Sequence, residues 1–314
     1  MSLILEAVLP LFALILAGYL AGRRKLLGQS ATDSLNAFVV WMALPALLFQ
    51  AMAQITWEEI RQPGYIAGSA IAMALVFGFS YFTDRWKGRR LADASITGLA
   101  AAYGNAGYMG IPLCIMVLGE ASLPAVIIVT LLTACVLFAF SIVLVEVDLQ
   151  RSATIGATLR KVGLAVLRNP LVCAPIAGLI VSGSGLTLPA ALLQFTTLLG
   201  AAASPCALVT IGLFLSQGSG SQQRSTVWRI VYLKLLVHPF LTFVLVTWVF
   251  DMPPMWASAA ILLAALPVGT GPFMVAKLYG REPAVTSEAT LLSTVLSVIT
   301  VTLLVGWLTQ TPSV

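Results

Sequence analysis

Ten long apolar runs dominate this chain and constrain its fold more than any other feature. A helix needs about 20 apolar residues to cross the hydrocarbon core of a membrane. Lipid offers no partner for backbone N–H and C=O groups, so each run is predicted to be helical. The sequence therefore predicts an all-α polytopic membrane protein with ten transmembrane spans, at approximately 2–22, 34–54, 63–83, 94–117, 122–147, 169–187, 190–216, 229–250, 255–279 and 284–308.

The composition supports the same class. Of the 314 residues, 59% are hydrophobic and only 9% are charged, and the mean hydropathy is +0.98. A typical globular chain has about 25% charged residues, and so few charges cannot coat a soluble surface of this size. Soluble enzymes, nucleic-acid binders and disordered proteins are therefore excluded.

The basic residues fall almost entirely on one predicted side of the membrane. The ten spans place 16 of the 17 Lys and Arg residues on the side that follows the first span, and only Arg61 on the other. Basic loops are retained in the cytoplasm. We therefore predict a multi-pass protein of the bacterial inner (plasma) membrane with both termini outside. The net charge of +5 follows from this orientation and requires no nucleic-acid partner.

The chain also reads as two related halves of five spans each, residues 1–147 and 169–314, joined by a cytoplasmic linker at 148–168. A shift of 160 positions superposes three proline pairs and one glycine pair: Pro10 with Pro170, Pro45 with Pro205, Pro112 with Pro272, and Gly18 with Gly178. An odd number of spans per half gives the halves opposite topology. The pattern is typical of the inverted repeats of secondary transporters.

Spans four and nine each contain a segment that weakens a helix. Span four has three glycines and a proline within 103–112, and span nine has two prolines and two glycines within 266–272. Glycine costs about 1 kcal/mol relative to alanine in a helix, and proline removes a backbone hydrogen bond. We predict that both spans are broken near the middle of the bilayer and that the breaks cross.

A broken helix has a chemical use, because its free N–H groups carry partial positive charge and suit a carboxylate. Glycine allows close approach of the backbone, and Asn105 and Thr270 add polar side chains. A pair of merely kinked structural helices is the alternative interpretation. The candidate substrate-binding residues are Asn105, Gly107, Tyr108, Gly110, Pro112, Pro267, Gly269, Thr270, Gly271 and Pro272.

Three further polar residues inside apolar runs are candidates for proton or ion coupling. Lys234 and His238 share a face of span eight because they are four residues apart, and Gln50 lies in span two. Each has a structural alternative: Lys234 reaches the interface by its long stem, His238 bonds a backbone carbonyl, and Gln50 holds helices together. No acidic residue is at a mid-span position, so coupling to H⁺ or Na⁺ and uncoupled transport both stay open. No cofactor is predicted.

Enzyme motifs are missing from the sequence. A single histidine cannot supply a HExxH metal site, no GxSxG turn provides a nucleophile, and no Walker A sequence is present. We predict that the chain is not an enzyme. An anion channel and a membrane sensor or interaction protein with a carrier fold are the remaining alternatives to a transporter.

Several motifs of this chain resemble the auxin efflux carrier family of bacteria and plants, and the resemblance covers nearly its whole length. Span eight contributes Leu233-Lys234-Leu235 and Pro239. The other motifs are Asn105-x-Gly107-x-x-Gly110-x-Pro112 in span four, Ala43-Leu44-Pro45-Ala46-Leu47-Leu48-Phe49 in span two, and Ala265-Leu266-Pro267 in span nine.

The resemblance implies a fold and a function. The fold is that of bile-acid/sodium symporters, with ten spans, outside termini and crossed discontinuous spans four and nine. Spans one, two, six and seven would form a scaffold that also makes the homodimer contact, and the others would form a moving transport domain. Bacterial members are linked to malate, malonate and similar acids. We therefore predict a secondary active or facilitative carrier of small organic anions that works by an elevator-type alternating access.

Overall fold

A computed structural model describes residues 2–54, 56, 61–149, 170–217 and 222–310, together with 156, 160, 163, 164 and 168. Over these residues the chain is helical, and its β structure is limited to an isolated bridge. Twelve helical segments lie within the described ranges. They are α1 (Ser2–Arg23), α2 (Gln29–Ala53), α3 (Pro63–Trp86), α4 (Leu91–Ala102), α5 (Ala106–Leu118), α6 (Glu120–Leu149), α7 (Pro170–Ser184), α8 (Ala190–Ser216), α9 (Arg224–Val249), α10 (Pro254–Ala264), α11 (Gly271–Leu278) and α12 (Pro283–Gln310).

The helices follow the apolar runs closely. Within the described chain, α2, α3, α6, α8, α9 and α12 are long and apolar enough to cross a membrane, and five further helices are apolar but shorter. The pair α4 and α5 occupies predicted span four, and the pair α10 and α11 occupies span nine. The protein is thus an all-helical polytopic membrane protein. The predicted linker at 148–168 falls mostly outside the described residues.

The described helices pack as two compact units. The first unit comprises residues 1–63, 107–128 and 168–217, and therefore contains α1, α2, α7, α8, most of α5 and the start of α6. Glycine brings its helices into backbone contact: a Cβ atom on Gly18 of α1 would lie 2.2 Å from the carbonyl oxygen of Val209 in α8. On α7, a Cβ atom on Gly178 would lie 2.5 Å from the carbonyl oxygen of Phe49 in α2. Small residues commonly allow such close packing of membrane helices.

The second unit comprises residues 64–106, 129–167 and 218–314. It contains α3, α4, the rest of α6, and α9 to α12. Its α4 is buried from Ala94 to Ala102, and the Ser95 and Ser141 hydroxyls hydrogen-bond at 2.9 Å to join α4 to α6. Ile96 and Leu99 of α4 form one apolar cluster with buried Leu233 of α9 and Val275 of α11.

Each unit draws helices from both predicted repeats, 1–147 and 169–314, so the repeat boundaries stay a prediction. The first unit contains the four spans expected to form a scaffold. Residues 107–128 differ from the expectation, because the second half of span four and the start of span five group with that first unit.

Candidate functional site

Two interruptions of the helical backbone form the candidate site, and both lie in the second unit. Helix α4 ends at Ala102 and α5 begins at Ala106, which leaves 103–105 outside any helix. Helix α10 ends at Ala264 and α11 begins at Gly271, which leaves 265–270 outside. Gly104 and the Pro267–Gly269 segment explain these breaks, because glycine and proline are the residues least compatible with a helix interior.

The two interruptions pair with each other through their backbones. Gly104 and Val268 form an antiparallel bridge. The Asn105 N–H donates to the Pro267 carbonyl at 3.0 Å, and the Gly269 N–H donates to the Tyr103 carbonyl at 3.0 Å. Backbone groups released by the helix breaks are thereby satisfied, as buried polar groups require. We call this pairing of 103–105 with 267–269 the crossover ladder.

A serine side chain of α12 hydrogen-bonds to the ladder. The Val268 N–H donates to the Ser293 hydroxyl at 3.0 Å, and that hydroxyl donates to the Thr290 carbonyl at 3.1 Å. Sequence reasoning missed Ser293. The signal available was a stripe of hydroxyl residues on one face of α12, and the structure buries it: Thr286, Thr290, Ser293, Thr294 and Ser297.

The glycines of the second break face the Tyr103 ring of the first break. A Cβ atom on Gly269 would lie 2.8 Å from the Tyr103 ring, and one on Gly271 also 2.8 Å from it. A Cβ atom on Gly104 would lie 3.1 Å from the Leu263 carbonyl oxygen. Glycine is therefore needed at the ladder for the approach of the chain to itself. Pro267 is buried within the break. The backbone carbonyl of Thr270 accepts a hydrogen bond from the Met274 N–H at the start of α11.

The first break is shorter than the sequence predicted. Gly107 and Gly110 belong to a π-helical turn at Ala106–Gly110, and Pro112 lies in the α-helical part of α5 that follows. A widened π turn accommodates a proline ring that a regular α-helix would exclude. These residues are therefore helical. In the second break, Pro272 is likewise the second residue of α11, where a missing N–H costs little.

Two of the candidate site residues, Tyr108 and Gln50, lie in the first unit and form hydrogen bonds between its helices. The Tyr108 hydroxyl, on α5, donates to the Asn36 side-chain oxygen of α2 at 2.8 Å. Gln50 of α2 accepts from the Thr197 hydroxyl of α8 at 3.1 Å. For Gln50, these contacts correspond to the helix-joining role given above as its structural alternative.

Lys234 and His238 lie together against the ladder. Both are buried, and the side chain of Lys234 is completely inaccessible, so it does not extend to an interface. The Lys234 ammonium donates to the Ala264 carbonyl at the end of α10 and lies 3.0 Å from the Nδ1 atom of His238. A cation at the C-terminal end of a helix complements the helix dipole. Gly104 lies beside the same lysine.

A small cavity lies next to this pair. It is lined by Ser69, Gly104, Thr133, His238 and Thr242, among others, and its volume is about 10 Å³. That volume is close to the minimum for one water molecule, so a carboxylate does not fit in the conformation described. The Ser69 hydroxyl is buried and has no hydrogen-bond partner within the described part of the chain.

A second cluster of charges in the same unit was not anticipated. Asp84 lies one residue beyond predicted span three, yet α3 continues to Trp86 and buries it completely. Its carboxylate lies 2.7 Å from Arg229 and 3.7 Å from Arg89, and accepts from the Thr97 hydroxyl at 2.6 Å. The partner Arg229 is 145 positions away in the chain, so no sequence spacing signals this pair.

Outside the helices, Arg281 is paired with Asp93 of α4 through two hydrogen bonds. The hydrogen bond to Asp93 is the main cause that raises the pKa of Arg281 above its usual value. This pairing joins the segment after α11 to the start of α4.

Long apolar helices with paired interruptions are typical of polytopic membrane transporters. The comparison with known families agrees. A family model described as "Membrane transport protein" matches residues 3–305, so the chain belongs to that family, and the resemblance to auxin efflux carriers is confirmed.

Two curated relatives extend this result. The chain is 32% identical over 313 residues to a protein of Rhizobium meliloti (strain 1021) named "Putative malonate transporter", covering 96% of this chain and 95% of the relative. It is 22% identical over 244 residues to the "Uncharacterized transporter YfdV" of Escherichia coli (strain K12), covering 74% of each chain.

Proposed function

We propose that this protein carries small organic anions, mono- or dicarboxylates, across the inner membrane by alternating access. The observation that carries the proposal is the crossover ladder. Both α5 and α11 begin within a few residues of it. Helix N-termini present unpaired N–H groups and partial positive charge, so two of them near one point favour an anion.

Fixed charge and polarity strengthen this argument. The Lys234 ammonium lies at the negative end of α10 and offsets its partial charge, while the positive ends of α5 and α11 begin beside the ladder. Asn105 is buried, and its side-chain amide makes no hydrogen bond to another described residue. We assign to it the orientation of the carboxylate. The name of the Rhizobium relative supports a carboxylate as the substrate.

The proposal includes ten spans arranged as two inverted repeats. One packing relationship supports the repeats. Gly18 and Gly178, which the shift of 160 positions superposes, each bring their helix into backbone contact with a neighbour: α1 with α8, and α7 with α2. Under the proposed repeat these contacts are equivalent, because span one with seven corresponds to span six with two.

Orientation and movement complete the proposal. The distribution of basic residues supports termini outside. The second unit, which contains the ladder, would move as a body during transport, and the first unit would mediate a homodimer. The ladder's backbone pairing supports a rigid moving unit, since it joins spans four and nine through three consecutive residues of each.

Transport by purified protein tests the proposal. Proteoliposomes loaded with unlabelled malonate should accumulate external labelled malonate, and this uptake should saturate. Liposomes without the protein should show no uptake. Flux that never saturates and shows no counterflow would identify a channel instead. If no carboxylate moves in either direction, while the protein still binds one in a thermal-shift assay, a sensor would replace the carrier.

A further inference from the structure

A groove between α3 and α6 in the second unit is not used by the proposed transport site. Its volume is about 410 Å³ and its lining is almost entirely apolar, with Phe77 and Gly78 in its wall. Three side chains of its lining are largely exposed: Phe82 at 57%, Val136 at 61% and Phe140 at 51%. The groove therefore opens to the surroundings, and around membrane-crossing helices those surroundings are hydrocarbon.

One end of the groove is basic. Its lining on α3 extends to Tyr81 and Phe82. Arg85 is four residues after Tyr81 and three after Phe82, so it lies on the same helix face. Lys87 follows just after the helix end and, like Arg85, is exposed and forms no ion pair among the described residues. Trp86 is 88% exposed there, as is typical of tryptophan at a membrane–water interface.

We propose that the groove binds an acyl chain of an anionic phospholipid, whose phosphate is held by Arg85 and Lys87. The apolar wall fits a hydrocarbon chain, and the two exposed basic side chains at one end, of which Arg85 also donates to the Arg89 carbonyl, fit a phosphate. Basic residues at the end of a membrane helix commonly attract acidic headgroups. Neither feature alone selects a ligand, but their continuity along α3 matches the two chemically different parts of one lipid molecule.

The structure offers a variant that fills the groove. A Cβ atom on Gly78 would meet only the Phe82 ring, at 3.9 and 4.0 Å, so a larger side chain has room to enter. Gly78→Phe would occupy the space of the acyl chain. Ala74→Leu, from the same lining, gives a second filling variant that keeps the test valid if the first does not fold. The double variant Arg85→Gln with Lys87→Gln removes the headgroup contacts but keeps the wall.

The test measures lipid binding to delipidated, purified protein by native mass spectrometry and by the shift in melting temperature. Phosphatidylglycerol should bind and raise the melting temperature more than phosphatidylcholine does. A filling variant should lose one bound lipid per chain and most of the shift, while its melting temperature without lipid stays equal or higher. The Arg85/Lys87 variant should lose the preference for phosphatidylglycerol. Arg23→Gln with Arg24→Gln, at another exposed basic site, should keep it.

Three results would overturn the proposal. Equal binding of both lipids to the parent protein would exclude recognition of the anionic headgroup. Undiminished phosphatidylglycerol binding by both filling variants would place the lipid elsewhere. A filling variant that changes the oligomeric state, with lipid binding unaltered, would show that a second copy of the chain covers the groove.

Discussion

The ammonium of Lys234 donates a hydrogen bond to the carbonyl of Ala264, the last residue of α10. The contact joins α9 to the crossover ladder at the point where α10 stops, and His238 contacts the same ammonium. A single charged side chain therefore replaces the hydrogen bond that a continuous helix would have supplied to this carbonyl. It also fixes a positive charge near the proposed anion site.

Lys234→Met keeps the length of the side chain and removes its charge. We expect anion uptake by proteoliposomes to fall by about tenfold or more, which corresponds to about 1.4 kcal/mol of binding free energy. Lys25→Met, at an exposed position, is the matched control and should transport normally. Normal uptake by Lys234→Met would show that the lysine supports only the fold.

Asn105→Ala tests the proposed anion contact, because it removes a side chain without touching the ladder. The Asn105 N–H that bonds Pro267 belongs to the backbone and is retained. Transport should be lost while the melting temperature of the purified protein stays close to that of the parent. Gln54→Ala, an exposed amide at the end of α2, should be active. Full activity of Asn105→Ala would count against the ladder as the binding site.

Gly269→Ala tests the close approach of the two breaks. Its Cβ atom would lie 2.8 Å from the Tyr103 ring, and such overpacking costs about 1–3 kcal/mol. We expect a lower melting temperature in detergent. Gly107→Ala is the matched comparison for stability, since a Cβ atom there meets nothing within 4 Å, and alanine should stabilise the helix by about 0.5–1 kcal/mol. Equal melting temperatures for both variants would contradict this explanation.

Asp84→Asn tests the buried charge cluster. The change leaves Arg229 and Arg89 without a carboxylate, and breaking a buried pair typically costs about 3–5 kcal/mol. The variant should show reduced expression and a clearly lower melting temperature. Asp33→Asn removes an exposed carboxylate of α2 and should alter neither. A stable Asp84→Asn protein would show that the cluster is not required for folding.

The positions of the helices were predictable because the constraint is local. A span must be apolar and helical throughout, and each predicted run contains a helix or a pair of half-helices. The breaks were predictable for the same reason, since Gly104, Pro267 and Gly269 act on the backbone next to them. Pro112 shows the limit: a π turn ahead of it absorbs the ring, and the choice between a kink and an unwound segment depends on packing.

The contacts of the site were not predictable, because they depend on residues distant in sequence. Nothing in the spacing of Asp84 and Arg229 pairs them across 145 positions. Lys234 lies near the end of an apolar run, which favours a location at the membrane interface. The structure instead buries it, with its ammonium bonded to the Ala264 carbonyl of α10. Likewise the spacing of Gly269 and Gly271 gives no sign that both lie against the Tyr103 ring, which belongs to the other interrupted span.

The crossover ladder is made by main-chain atoms, which nearly every amino acid possesses. Natural variation can therefore replace the side chains around positions 105 and 270 one at a time while the crossing itself persists. The two interrupted spans therefore stay joined whichever side chains occupy those positions.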